Sequence, residues 1–274
     1  MRLYFSVIIW LIGVSYSLDA QRGFTSAQGA KRVAMANTGS NTLGIEALLN
    51  NQAGLYKLNG IGVIAASEQR FLLKDLNAVS IGLAYGDKTF GALGLMISNF
   101  GFDEYKEQKI GLAYSRLLFN NLSIGGQLDL LHLNIAGYGS SSNITFELGV
   151  ISKITNQVSV GFHVFSPSEV NITEQSSIPT KIIVGASYKP SKKIEIVTEV
   201  EKIIDRDYTF RMGIDYSIVD RFNLRAGLST GAATLSFGLG ININKKISFD
   251  GSFSNHETLG FTPAGSLIYQ GKNP

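Results

Sequence analysis

Glu147, Glu195, Glu199, Arg211, Asp215, Arg225 and Asp250 are the residues of this chain best placed to do polar chemistry, and each is flanked by at least one aliphatic or aromatic side chain. Side chains of an extended segment alternate between two faces, so such a charge points away from its apolar neighbours. That same side receives Ser248, Ser252, Gly149, Gly161, Gly213 and Gly227. Burying a charge without a partner is costly, so charges on an enclosed face pair with one another or stay hydrated. Two roles are open to the set, together with Arg32 nearer the N-terminus. It forms a network that fastens one part of the chain to another, or it lines a path for a solute. Pairing favours the network.

Other chemistry is thinly represented. Gly227-Leu228-Ser229-Thr230-Gly231 fits the G-x-S-x-G pattern, but that motif works only on a strained strand-to-helix elbow, and here it ends an extended run at a turn. His132, His163 and His256 are isolated and lack the spacing of metal ligands. The chain has no Cys, which removes thiolate metal sites and disulfides. The expectation is a protein that is not an enzyme, with no catalytic residue, no metal and no cofactor. The net charge of +3 is spread along the chain, with no basic run to engage nucleic acid.

The elements that would position these charges are strands. Over 233–244, Ala233, Leu235, Phe237, Leu239, Ile241 and Ile243 share one face, and Thr234, Ser236, Gly238, Gly240, Asn242 and Asn244 the other. The same period of two places Val79, Ile81, Leu83 and Tyr85 in one row, Ile144, Phe146, Leu148 and Val150 in another, and Val158, Val160, Phe162 and Val164 in a third. The fold class expected is all-β: a transmembrane antiparallel β-barrel of about fourteen strands, from the run 60–71 to the run 262–270. Thirty Gly against five Pro suits many closely packed strands. A secreted soluble β-sandwich that binds a partner shows the same alternation with its greasy face turned inward. Tyr85, Tyr105, Tyr114, Tyr188, Tyr208 and Tyr216 fall near strand ends, where rings can sit at a membrane boundary. Most connections read as tight. The longest, 166–180, holds two Pro, polar residues and a few aliphatics, and no large external lid is expected.

The chain divides into three parts on this reading. Residues 1–20 are a signal peptide, with Arg2 before an apolar stretch over 4–14 and a small-residue exit at Ala20. That stretch is shorter than the roughly 20 residues a spanning helix needs, and no later run reaches that length. Residues 21–58 form a hatch or plug segment, with a short helix or ordered coil expected over 29–36 and a helical turn over 44–49. Residues 59–274 form the barrel.

Gly29-Ala30-Lys31-Arg32-Val33-Ala34-Met35-Ala36 resembles the G-A-R-x-x-x-M-G opening of FadL-type and PorV/PorQ-like outer-membrane proteins. Asn51-Gln52-Ala53-Gly54-Leu55 resembles their N-P-A-G-L signature before the first strand. Leu259-Gly260-Phe261-Thr262 followed by Ser266-Leu267 resembles the opening of their last strand. Gln52 replaces the Pro, Pro263 stands where the relatives carry His, and the chain is shorter than the fatty-acid transporters.

The resemblance implies a fourteen-stranded barrel in the outer membrane of a Gram-negative-type bacterium after signal-peptide cleavage, with the N-terminal segment folded into the lumen. Arg32, Met35, Asn51, Ala53, Gly54 and Leu55 become hatch or gate residues, with a positioning role favoured over a moving one. Because short loops offer little ligand-binding apparatus, the function put first is an accessory subunit of a type IX-like secretion or assembly complex. The alternative is passage of hydrophobic small molecules. The partners expected are outer-membrane lipid, protein partners in such a complex and a hydrophobic ligand in the lumen.

Overall fold

The computed structural model describes residues 24, 26–168, 170–173, 176–231 and 233–271. The signal peptide read into 1–20 lies outside them. The alternating runs form strands β1 (Gly60–Gln69), β2 (Asn77–Asp87), β3 (Gly91–Phe102), β4 (Tyr105–Phe119), β5 (Leu122–Ile135), β6 (Gly139–Lys153) and β7 (Val158–Phe165). After a small hairpin, β8 (Val170–Thr173) and β9 (Ser176–Ile178), follow β10 (Lys181–Ser191), β11 (Ile194–Ile203), β12 (Tyr208–Val219), β13 (Phe222–Ser229), β14 (Thr234–Asn242), β15 (Ile247–His256) and β16 (Gly260–Gln270). Fourteen of these, all but β8 and β9, make a closed antiparallel barrel. Closure is between β1 and β16, with Gly62 opposite Gln270 and Glu68 opposite Ala264. Every strand is then paired on both sides, which removes the sheet edges that would otherwise leave backbone groups unsatisfied.

The two faces separate by residue type as alternation demands. On the exterior, Ile144 is 65% exposed and Leu239 58%, while the alternate Glu147 and Ser236 are buried. A soluble sandwich would turn these bulky rows toward each other, so the sandwich alternative is excluded. An exterior of this composition requires an apolar medium around it. Val164 is a local exception: flanked in register by Leu148 and Ile182, it is buried.

The end of the barrel where β1 starts and β16 finishes is the terminal end, and its connections are short. The other, distal end carries the longer ones, at 70–76 and 166–180. Tyr85, Tyr114, Tyr188, Tyr216 and Tyr269 are exposed on the outer face near the terminal end, and Tyr208 near the distal end. Tyr105 departs from the expectation. It has inward parity on β4, and its hydroxyl donates to Glu107 at 2.6 Å. The 166–180 connection also departs: it folds into the β8–β9 hairpin, with Ile178 buried against Leu131 and Phe165. Hydrophobic content too sparse to mark a strand sufficed to seat a hairpin.

Candidate functional site

The lumen is filled by the chain's own N-terminal segment. Eight strands enclose a space that side chains alone can fill, whereas fourteen enclose a wider one. Gly29, at φ 96°, opens a five-residue helix α1 (Ala30–Ala34), whose first turn closes through Arg32 N and Val33 N donating to Gly29 O at 3.0 and 3.1 Å. Ala36 and Asn37, at φ 55° and 61°, turn the chain out of the helix. Two 3₁₀ turns follow, Ile45–Leu49 and Gln52–Lys57. Asn51 caps the second: its Oδ1 accepts from Ala53 N at 3.1 Å, the usual service of a polar residue at a helix start. Its Nδ2 donates to Ser40 O at 2.7 Å and to Phe162 O on β7 at 3.1 Å, so one side chain ties two hatch segments to the wall. Gly44 N donates to Gly54 O at 3.0 Å, and a Cβ on Gly54 would overlap Thr42 O.

A belt of inward glycines lets this backbone approach the wall. A Cβ built on Gly62 would lie 3.0 Å from Ile45 Cβ, one on Gly82 2.8 Å from Leu48 Cδ2, and one on Gly94 2.7 Å from Leu48 Cδ1. Gly125 and Gly149 face the turn at Asn51–Ala53, and Gly161 and Gly185 face Ser40. Gly213 lies against Met35, with 2.6 Å to its Cβ, Gly227 against Met35 and Ala36, and Gly238 against Ala34 at 2.5 Å. Where the belt lacks glycine, polar side chains take hatch backbone groups. Ser115 Oγ donates to Ala53 O at 3.0 Å, Ser266 Oγ accepts from Ala30 N at 3.2 Å, and Glu199 accepts from both Ser40 N and Ser40 Oγ at 2.6 Å.

The two sides of the lumen differ in polarity. Against β1 to β4 the hatch inserts Ile45, Leu48, Leu55 and Leu58 among Ile64, Ala66, Ala84, Ala92, Met96 and Phe100, one continuous apolar cluster. The other side carries most of the charges, in separate groups; on the β1 to β4 side Glu68 and Glu107 lie toward the distal end and Lys109 of β4 reaches across to the third group. Toward the terminal end, Lys31 of α1 reaches Asp215 at 3.3 Å, Arg225 bridges Asp215 at 3.3 Å and Asp250 at 2.5 Å, and Glu195 pairs with Lys189 at 3.3 Å. Arg211 makes a two-pronged pair with Glu201 at 2.7 and 3.0 Å. Glu147 belongs to a third group: it pairs with Lys109, accepts from Gln52 at 2.9 Å and meets His163 Nε2 at 2.8 Å, while Lys109 also reaches Asp129 at 3.3 Å. A cavity of about 120 Å³ adjoins this group, bordered by Phe24, Arg70, Lys109, His163, Phe165 and Lys181.

The residues singled out in the sequence are thus distributed, not gathered. Asp215, Arg225 and Asp250 come together, whereas Glu147, Glu199 and the Arg211 pair stand apart from them. Among the described residues, Arg32 is in no ion pair with the wall. Its guanidinium stays within the hatch, 3.8 Å from Glu46 and donating to Thr38 O at 3.4 Å. Met35, Asn51, Ala53, Gly54 and Leu55 are all buried in the hatch–wall contact.

Alternation did not single out Lys31, Lys109, Asp129, Glu201 or Ser40. Inward parity on β4, β5 and β11 marks Lys109, Asp129 and Glu201 as firmly as it marks Glu147, and that signal was available. Of the three histidines, His132 lies on the outer face with its Nδ1 2.8 Å from Ser142 Oγ, and His256 accepts from Thr258 N and Leu259 N in a distal turn. Only His163 enters the lumen. Ser229 ends β13 in a strand-to-strand connection, without the elbow a serine nucleophile needs.

A closed fourteen-stranded antiparallel barrel filled by its own N-terminal segment is the fold of FadL-type barrels. The chain is similar to the solved structure of CymD, a monoaromatic hydrocarbon channel, with 12% identity over 92% of this chain and 99% of that one and a TM-score of 0.67. It is similar to the toluene transporter TbuX of Ralstonia pickettii, with 13% identity over 91% and 98% and a TM-score of 0.65. A FadL homologue of Pseudomonas aeruginosa aligns at 12% identity over 91% and 99%, with a TM-score of 0.66. No family model matches the chain, and no curated protein matches it.

Proposed function

We propose that this protein is an outer-membrane channel for small hydrophobic molecules, closed by a hatch that must shift for a molecule to pass. The observation that carries the reading is the apolar strip along β1 to β4, covered by Leu48, Leu55 and Leu58 of the hatch. When those three side chains withdraw, the wall they leave is lined by Ile64, Ala66, Ala84, Ala92, Met96 and Phe100, interrupted by Ser80 and Ser98, which bond each other at 3.0 Å, a surface that suits hydrocarbon and disfavours ions. Neighbours of the same fold described as a monoaromatic hydrocarbon channel and a toluene transporter support the same chemistry. Longer connections at the distal end favour an orientation with that end outside the cell, as in barrels whose periplasmic turns are short.

The sequence put an accessory secretion subunit first and hydrophobic passage second. Neither the lumen nor the structural neighbours give the subunit role support, and the order is reversed here. Uptake of a labelled monoaromatic hydrocarbon such as toluene, measured in cells whose outer membrane carries this protein and in cells lacking it, tests the reading. Faster uptake with the protein is expected. Equal rates, with the barrel recovered alongside large protein partners, would return the subunit role to first place.

A further inference from the structure

The two rims of the barrel carry opposite charge, which the net charge of +3 conceals. Connections at the terminal end hold Lys88, Lys192, Lys193, Arg221, Lys245 and Lys246 against a single acid, Asp220. The two hairpins of that end without a base in the turn have an exposed one on a flanking strand, Arg116 on β4 and Lys153 on β6, while Asp87 at the end of β2 adds an acid beside Lys88. At the distal end the described connections instead carry six acids, Asp75, Asp103, Glu104, Asp205, Asp207 and Glu257, against Arg70, Lys74 and Arg206. All six terminal-end turn bases are exposed, and among the described residues none is in an ion pair.

These bases sit at the level of the aromatic girdle. Lys88 follows Tyr85 by three residues, and Arg221 directly precedes Phe222. Lys193 precedes Ile194, the register partner of Tyr216, and Lys246 precedes Ile247, the register partner of Tyr269. A long basic side chain beside an interfacial ring lays its apolar stem along the hydrocarbon boundary and its charge among the headgroups. The bases are also spread around the circumference, from the β2–β3 turn to the β14–β15 turn. Five of the six turn bases lie on the three neighbouring hairpins from β10 to β15, but with Lys88, Arg116 and Lys153 every one of the six terminal-end hairpins carries a base. A ring of lipid therefore meets a base at each hairpin, whereas a partner docked on one side leaves those of β2 to β7 unmet.

We propose that the terminal rim is a collar that recruits anionic glycerophospholipids, each headgroup phosphate held by the lysines and arginines of the adjacent hairpin. The proposal shares only the membrane placement with the channel reading, so a failure of hydrocarbon uptake leaves it standing. The test reconstitutes the barrel in phosphatidylcholine vesicles and compares, by electron spin resonance, the motionally restricted fraction of spin-labelled phosphatidylglycerol with that of spin-labelled phosphatidylcholine. Preference for phosphatidylglycerol of about two- to fivefold is expected at low salt, collapsing toward equality in 1 M salt.

A variant combining K88Q, K192Q, K193Q, R221Q, K245Q and K246Q, shown to be folded by heat-modifiable migration, is expected to lose the preference. A distal variant, D103N with E104Q, D205N and D207N, is expected to keep it unchanged. Equal association of both lipids with the unaltered protein would overturn the collar, as would preference surviving in the six-site variant. A distal variant whose preference rises as much as the rim variant's falls would assign the effect to net charge and overturn it equally. Should the six-site variant fail to fold, the salt dependence of the unaltered protein decides.

Discussion

At the scale of single residues, hatch and wall are held by what is missing as much as by what is present. Gly213 and Gly238 leave room for Met35 and Ala34, so a leucine at Gly213 must push α1 off the wall. Overpacking of this kind costs about 1–3 kcal/mol. The expected result for Gly213→Leu is a barrel that still shows heat-modifiable migration but whose N-terminal segment is cut faster by protease; an unchanged cleavage rate would contradict the close approach. Glu199 acts in the opposite way, by gripping: both its bonds go to Ser40. Glu199→Leu leaves Ser40 N without that acceptor, at a cost of about 1–3 kcal/mol, and should lower the denaturation midpoint of the hatch more than Glu199→Gln, which keeps one acceptor. Alternation sufficed to tell that Glu199 and Gly213 point inward. It did not tell what they touch, because a partner depends on strand register and height in the barrel. Arg211 illustrates the gap: its partner Glu201 lies diagonally across the β11–β12 pair, opposite Thr209 in register, a relation only the folded sheet defines.

At the scale of elements, the strands were legible because each has one wet and one greasy face. The fourteen runs match the barrel strands to within a few residues at their ends. The hatch was legible only as a departure from alternation with two short helical signals, which emerge as α1 and the turn Ile45–Leu49. Its docking side was legible only at Leu55, which the resemblance marks as a hatch residue; Ile45 and Leu48 read as apolar scatter until β1 to β4 place small residues opposite them. The β8–β9 hairpin was hidden for the same reason, its burial resting on Leu131 and Phe165, which are far from it in the chain. If the hatch alone closes the lumen, a chain lacking residues 24–58 but keeping the strands should insert and conduct ions in a planar bilayer, while the full chain conducts little. A deletion variant that inserts without conducting would place the block elsewhere.

At the scale of the whole molecule, the outer apolar belt, the paired polar lumen and the fitted hatch describe a barrel that lipid surrounds and whose lumen one segment fills; the channel proposed above opens by moving that segment. The central claim is that hydrophobic molecules cross only when the hatch leaves β1 to β4. The chain has no cysteine of its own, so a tether can be introduced without interference. Ile45 on the hatch and Gly62 on β1 approach to 3.0 Å between Ile45 Cβ and a Cβ built on Gly62, within a small shift of the roughly 3.5–4.5 Å a disulfide spans. The most direct measurement is therefore toluene uptake by cells carrying the Ile45→Cys, Gly62→Cys variant, first oxidised and then reduced. The account predicts uptake at least about tenfold slower with the tether closed, a barrier of about 1.4 kcal/mol or more, and recovery on reduction. Equal uptake in the two states, with disulfide formation verified, would contradict it.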